Sequence, residues 1–478
     1  MKTDFLTKCG FTYIKNMLSC SSPYGDELIK KLAPLENKAL IDAELKNAAL
    51  AKAALCDANK TDAINSLSHY FMCIKNIRRS INNIGETTLD EVELFEVKRF
   101  LIQLREIKTA YEKCDFGFTG IEFSDVSDAL KILCIDDNCN ISFYISDNYS
   151  EALKEIRRQK RSLELKIRTA VEPELSELKR QRLIIADKED TEEANVRAKL
   201  TKELVPYKNM LLSAIQSIAH TDLLLAKAQI ALKYNTVMPK ISDSSSDSMK
   251  LSFTDMINPA VSDSLEAKNR TFIPVTLSAC SGSTVITGAN MGGKSIALKT
   301  VALNCYLALC GMFVFAKEAV VPYLDNIAII DEDGEDMKNG LSSFGSEILM
   351  IGDELKNTDG CSLILFDEIA RGTNPQEGAK IMRALVKYLN SKKAICILTT
   401  HYDGVARYAK KHYRVMGLKD FDFSSVKGRE GAEAIAANMN YGLYEAGTDD
   451  ECPKEAIGIC RMLLEGEPLL DVLLNEDN

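Results

Sequence analysis

The chain has 478 residues, 46% of them hydrophobic and 27% charged, with a formal net charge of −10. That balance excludes a disordered or fibrous chain and leaves ample apolar material for real cores. It also excludes a broadly basic nucleic-acid coat, so any DNA contact must come from a local patch.

Length alone suggests about three units. Residues 1–250 carry as many Lys and Arg as Asp and Glu, so the acidic excess belongs to 251–478. There is no apolar run long enough for a transmembrane helix, and Met1–Phe5 lacks the apolar core of a signal peptide. The 14 cysteines are scattered with no CxxC pair, and there are only four histidines. Reduced thiols in a cytoplasmic protein are expected, and no His-rich metal centre.

Residues 1 to about 150 show apolar spacings of three and four, as in Asp26–Leu32 and Val92–Leu104, and read as mostly helical. Residues 151 to about 235 are charged, leucine-containing and nearly free of glycine, punctuated by Pro173 and Pro206. They predict long helices forming an arm or a hairpin. A helix of about 30 residues would reach roughly 45 Å. Lys154, Arg157, Arg158, Lys160, Arg161, Lys166 and Arg168 form a basic cluster there. It reads as a solvated helix face, with a phosphate-contacting face as the alternative.

Ser242–Ser248 is polar and low in complexity, a surface loop. Beyond it, short β-rich runs (Thr284–Thr287, Leu363–Phe366, Ala394–Thr399) alternate with helical stretches. Continuous apolar runs of that length suit strands buried on both faces of a parallel sheet.

The strongest signal is Gly288-Ala289-Asn290-Met291-Gly292-Gly293-Lys294-Ser295, a full GxxxxGK[ST] match between a β-type run and a helical one from Lys294 to about Leu309. Phosphates need converging backbone N–H groups. Glycines allow that nest, and the helix N-terminus adds a favourable dipole. Lys294 would bridge the β- and γ-phosphates of ATP, and Ser295 would ligate Mg²⁺. A second apolar strand ends in Asp367-Glu368. Asp367 would hold Mg²⁺ through its water shell, and Glu368 would polarise the attacking water. A third run ends in Thr399-Thr400-His401, and His401 reads as a sensor of the γ-phosphate or the water.

These residues carry a family resemblance. Gly288–Ser295 resembles the TGPNMGGKS loop of the MutS family of DNA mismatch-repair ATPases. Asp367–Thr373 resembles that family's DEIGRGT, Thr400-His401-Tyr402 its THY, and Gly340–Glu347 its STFxxE segment. Phe272-Ile273-Pro274 resembles the segment that packs on adenine. Upstream, Phe11, Tyr24-Gly25 and Glu27–Pro34 resemble the start of the family's helical core, and Ile218–Ala228 its lever helix.

The resemblance implies a helical core and lever region (1–235, arm about 151–235). It also implies an α/β P-loop ATPase domain of ABC type (236–478), with a mostly parallel sheet and a helical dimerisation element at about 436–478. It further implies a homodimer or MutS-like heterodimer in which Ser342 reaches the partner's nucleotide in trans. ATP binding would close the dimer and hydrolysis would open it.

The sequence also departs from the family. Its core-like segment starts near residue 5, and it has no Phe-x-Glu wedge of a mismatch reader. About 40 charged, helix-like residues (Thr169 to about Lys208) stand where the family has a β-rich DNA clamp. Ala289 replaces a proline. Two functions follow: a DNA-associated ATPase that binds branched or structured DNA without reading mismatches, or a protein-remodelling factor such as the MutS-like ATPase of a cobalamin-dependent aminomutase reactivase. An SMC-like ATPase is disfavoured by the short arm and the missing LSGGQ.

Overall fold

The computed structural model describes residues 2–135, 144–243, 249–288, 293–331, 343–417 and 440–447. Ala289, Asn290, Met291, Gly292, Ser342 and the tail from residue 448 therefore lie outside the described residues.

The N-terminal half is helical, as its spacing predicts. In chain order the helices are α1 (Lys2–Lys8), α2 (Phe11–Met17), α3 (Pro23–Lys30), α4 (Lys38–Cys56), α5 (Thr61–Cys73), α6 (Arg78–Asn83), α7 (Glu91–Cys114), α8 (Ser127–Leu133), α9 (Glu151–Ile167), α10 (Glu174–Leu204) and α11 (Lys208–Lys233). Strands β1 (Lys240–Ser242) and β2 (Lys250–Met256), helix α12 (Pro259–Glu266), and strands β3 (Val275–Cys280) and β4 (Gly282–Thr287) follow. Then come α13 (Lys294–Leu309), β5 (Glu318–Pro322), β6 (Asn326–Ile330), α14 (Ser343–Glu354), β7 (Ser362–Phe366), α15 (Pro375–Leu389), β8 (Ile395–Thr400), β9 (Lys411–Gly417) and β10 (Asn440–Glu445).

The chain forms two compact units. One holds residues 19–31 and 50–226. In it α5 and α7 bury Leu67, Phe71, Leu94, Val97, Leu101 and Leu104. Asp90 and Glu93 form a capping box that satisfies the first amides of α7. Ser22 caps α3, and Pro23 at the first helical position has no N–H to lose there. Asp222, on α11, accepts from the Ser21 and Ser22 amides at 3.0 and 2.6 Å and from Ser22 Oγ at 2.6 Å.

In the same unit α9 and α10 form an antiparallel hairpin. Ser150 caps α9 through the Leu153 amide. α10 has 31 residues, about 46 Å at 1.5 Å per residue. Its partner is fixed by charge. The buried Arg157 meets Asp147, Glu189 and Glu193 at 2.6, 3.0 and 2.7 Å. Three carboxylates compensate the cost of burying that guanidinium.

The other unit holds residues 1–18, 32–49 and 227–478, with two sheets. The smaller runs β1-β5-β2-β3, and the larger runs β10-β9-β4-β8-β7-β6. In the larger, β9, β4, β8, β7 and β6 pair in parallel, and β10 closes the edge antiparallel to β9. β4, β7 and β8 are buried along their whole length, as continuous apolar runs require. α15 lays Met382, Leu385, Val386 and Leu389 into a core with Ile364, Phe366, Cys396 and Leu398. α13 is buried almost all round, so it carries no polar stripe.

Cys134 is disulfide-bonded, which departs from the expectation of reduced thiols throughout. It lies just past the end of α8, and linear spacing does not reveal which thiols the fold brings together. Ten other described cysteines form no disulfide. Burial pushes the Cys310 and Cys396 thiols up to about 12, so both stay protonated and inert. Among the described residues, no helix is long and apolar enough to cross a membrane.

Candidate functional site

Three neighbouring parallel strands, β4, β8 and β7, end on one edge of the larger sheet. β4 delivers Gly288, β8 delivers Thr399 to His401, and β7 delivers Asp367 and Glu368. The register pairs Thr287 with Thr400 and Phe366 with Leu398, so the polar ends arrive level. Carboxyl ends of parallel strands are where such sheets bind ligands.

Gly288 and Gly293 flank the loop at φ 153° and 82°, where glycine avoids the steric cost of a side chain. A Cβ on Gly293 would strike the ring of Tyr441 from β10, so that glycine is needed for close approach as well. Lys294 opens α13. Its buried ammonium donates to Gly288 O at 2.6 Å and pairs with Glu368 Oε1 at 2.7 Å. Arg371 lies against the same carboxylate. Ser295 Oγ donates to Asp367 Oδ1 at 2.9 Å.

Glu368 and Ala370 both have positive φ, 48° and 66°. Two such non-glycine residues in one short segment mark stored strain of the kind found at functional sites. Their surroundings hold them. Thr399 Oγ1 accepts the Glu368 amide at 2.9 Å. Glu347, on α14, accepts the Ala370 amide at 3.1 Å, and the Tyr402 hydroxyl donates to the Ala370 carbonyl at 2.7 Å.

His401 follows β8. Burial, then the positive charges of Lys294 and Arg371, hold its pKa below 6.5, so the imidazole is neutral near pH 7. Its Nδ1 is buried and has no hydrogen-bond partner among the described residues. Phe272 is buried, whereas Ile273 is partly open and faces the backbone of Gly442.

The structure thus brings together Gly288, Gly293, Lys294, Ser295, Asp367, Glu368 and His401. Ala289–Gly292 and Ser342 are not described. Linear reading missed Thr399, Glu347 and Tyr441 as site residues. Thr399 borders one motif and Glu347 closes another, but their partners are 32 and 23 residues away. His412 was also missed. It is buried on β9, with Nε2 at 2.7 Å from Thr287 Oγ1 and Nδ1 at 2.6 Å from Gly447 O. Both ring nitrogens are therefore engaged beside the start of the loop.

In the basic arm cluster most cations lie beside carboxylates. Arg157 is buried among its own carboxylates and presents nothing to a partner. Lys154 pairs with Glu151 at 3.6 Å, Arg158 with Glu155 at 2.8 Å, Arg161 with Asp147 at 3.5 Å, and Lys160 with Glu189. Lys166 and Arg168 stand exposed where α9 ends.

A family model described as MutS domain V matches residues 284–454, the segment that builds this sheet edge. The endonuclease MutS2 of Thermomicrobium roseum is 32% identical over 288 residues, covering 58% of this chain and 36% of the relative. The endonuclease MutS2 of Leuconostoc mesenteroides is 27% identical over 267 residues, covering 53% and 32%. The DNA mismatch repair protein MutS of Syntrophomonas wolfei is 29% identical over 262 residues, covering 52% and 29%. The chain spans about a third of the length of the curated relatives it matches. With the three strand ends that carry its motifs on one sheet edge, residues 284–454 match MutS domain V, and over that segment the chain is similar to the MutS family.

Proposed function

We propose that the chain binds and hydrolyses ATP at the edge formed by β4, β7 and β8, and works as a DNA-associated dimer. The observation that carries the ATPase reading is the meeting of Lys294 and Ser295 with Asp367 and Glu368, four groups from two separate motifs. Ser295 Oγ and the Asp367 carboxylate, linked by a 2.9 Å hydrogen bond, supply hard oxygen donors, a set that suits Mg²⁺. When bound there, Mg²⁺ would offset the charge on the phosphate oxygens.

The protein's own groups do the rest. Lys294 now neutralises Glu368, and an incoming triphosphate competes for that ammonium. As Lys294 and Arg371 turn to phosphate, Glu368 becomes the carboxylate that accepts a proton from the attacking water. His401, neutral, has one ring nitrogen to donate and one to accept toward the γ-phosphate or the water. Ser342 enters the partner's site in trans, so closure completes the donors around the developing charge.

Steady-state ATPase assays on the purified chain test this. Glu368→Gln is expected to retain nucleotide binding and to lose turnover by about a hundredfold or more. Normal turnover in that variant would remove Glu368 from the role of base.

A second reading, a protein-remodelling ATPase, gains support from the arm, where at least five of the seven basic residues already face carboxylates. Titration with forked DNA at two salt concentrations separates the two. Binding that weakens steeply with salt supports DNA. No binding at low salt favours a protein partner.

A further inference from the structure

We propose that Thr399 is a positioning residue that fixes the Asp367–Glu368 pair, a role that rests on the ATPase reading of the same site. Thr399 is the residue before the Thr-His-Tyr motif, and its side chain is fully buried. Its hydroxyl oxygen lies 2.8 Å from Asp367 Oδ1 and accepts the Glu368 amide at 2.9 Å. Among the described residues, the backbone oxygen offered to its proton, Phe366 O, is 3.5 Å away, beyond a good O–H···O distance. The proton therefore goes to Asp367.

One hydroxyl thus grips both acidic residues, one by its carboxylate and the other by its backbone. The strand register makes this possible. Phe366 pairs with Leu398, which sets Asp367 beside Thr399. A β-branched side chain is stiff at χ1, so the hydroxyl is held where it is needed.

Two consequences follow. Asp367 Oδ1 receives hydroxyls from both Ser295 and Thr399, so the carboxylate plane is set and Oδ2 is the oxygen left for a cation's water shell. Glu368, at φ 48°, is in a conformation its own backbone disfavours, and the Thr399 acceptor helps hold it there. A threonine that served only to fill the strand end would satisfy itself on the backbone and touch neither acid.

The test compares wild type with Thr399→Val and Thr399→Ser. Three quantities are read: binding of a fluorescent ATP analogue with Mg²⁺ and with chelator, kcat and KM, and thermal stability. Thr399→Val is expected to bind the analogue normally in chelator. It should lose about tenfold of the Mg²⁺-dependent gain in affinity, and about tenfold in kcat, as one buried hydrogen-bonding group is removed. Thr399→Ser, which keeps the hydroxyl, should recover most of both.

Wild-type Mg²⁺ dependence and kcat in the valine variant would overturn the proposal. So would a serine variant as impaired as valine with an equal loss of thermal stability, since that outcome means packing alone. If valine does not fold, Thr399→Ala carries the same comparison. A wild-type chain that binds no nucleotide would instead bring down the ATPase reading and this proposal with it.

Discussion

The Tyr402 hydroxyl donates to the Ala370 carbonyl oxygen at 2.7 Å, while the amide of that same residue is held by Glu347 at 3.1 Å. Residues from two motifs therefore clamp one alanine of a third, whose φ is 66°. A left-handed conformation costs an L-residue about 1–2 kcal/mol, and glycine escapes that cost but loses about 0.4–1 kcal/mol through its freer unfolded chain. Glycine also gives up a methyl buried in the core, worth about 0.8 kcal/mol. Ala370→Gly should therefore stay within about 1 kcal/mol of wild type, whereas Ala370→Val should be clearly destabilising. Urea denaturation of the two variants checks the order, and a valine variant as stable as wild type would contradict it.

Buried Lys227 makes a different kind of clamp. Its ammonium donates to Glu44 and to the carbonyl oxygens of Cys310 and Gly311 at 3.1 and 3.4 Å, just beyond the C-terminus of α13. Three donors meet three acceptors, so the charge is fully served. Lys227→Met takes its ammonium away from the buried Glu44 carboxylate, at a cost of about 3–5 kcal/mol. Adding Glu44→Gln should return part of that loss. A double-mutant cycle by chemical denaturation measures it, and strict additivity would show that the pair is not coupled.

The long-range origin of that pair explains what could be read from residues alone. The helix from Lys294 to Leu309 and the three strand ends were legible because glycine punctuation and buried apolar runs are local signals. Residues 1–18 and 32–49 join the unit that contains the large sheet, and no periodicity announces such a partnership. At the site, Lys294, Ser295, Asp367 and Glu368 were legible because each type has one obvious use beside phosphate. Thr399 was not, because its worth lies in the register that places it next to Asp367. The surroundings of the basic cluster were hidden in the same way: the α10 carboxylates that answer Arg157 and Lys160 lie 29 to 36 residues away.

Arg157 holds the α9–α10 hairpin by a forked guanidinium that lysine cannot imitate. Arg157→Gln should cost about 3–5 kcal/mol, because Glu189 then lies buried with one cation fewer. Burial raises the Glu189 pKa, but Lys160 and Arg157 outweigh it and hold it below 4.5. The hairpin's stability from this group is therefore present above the unfolded value and lost as pH falls through the folded one. Hydrogen exchange along α9 and α10 should show full protection near neutral pH and a loss below about pH 4.5. Protection unaltered by Arg157→Gln would refute the anchor.

His401 gives the site its own pH dependence. Desolvation is the main cause of its lowered pKa, and the cations Lys294 and Arg371 add to it. The unfolded chain then binds the proton more readily than the folded one. Stability from this group is present above 6.5 and falls away as pH drops through the lower folded value. ATP turnover should share that acid limb, flat above 6.5 and declining below it, since a protonated imidazole has no acceptor left to offer. With four histidines in the chain, selective histidine labelling and an NMR titration can isolate one signal that disappears in His401→Asn. Its midpoint is expected below 6.5 in wild type, and the variant should lose about a hundredfold in turnover. A midpoint at or above 6.5 would mean that neither burial nor the two neighbouring cations govern this ring.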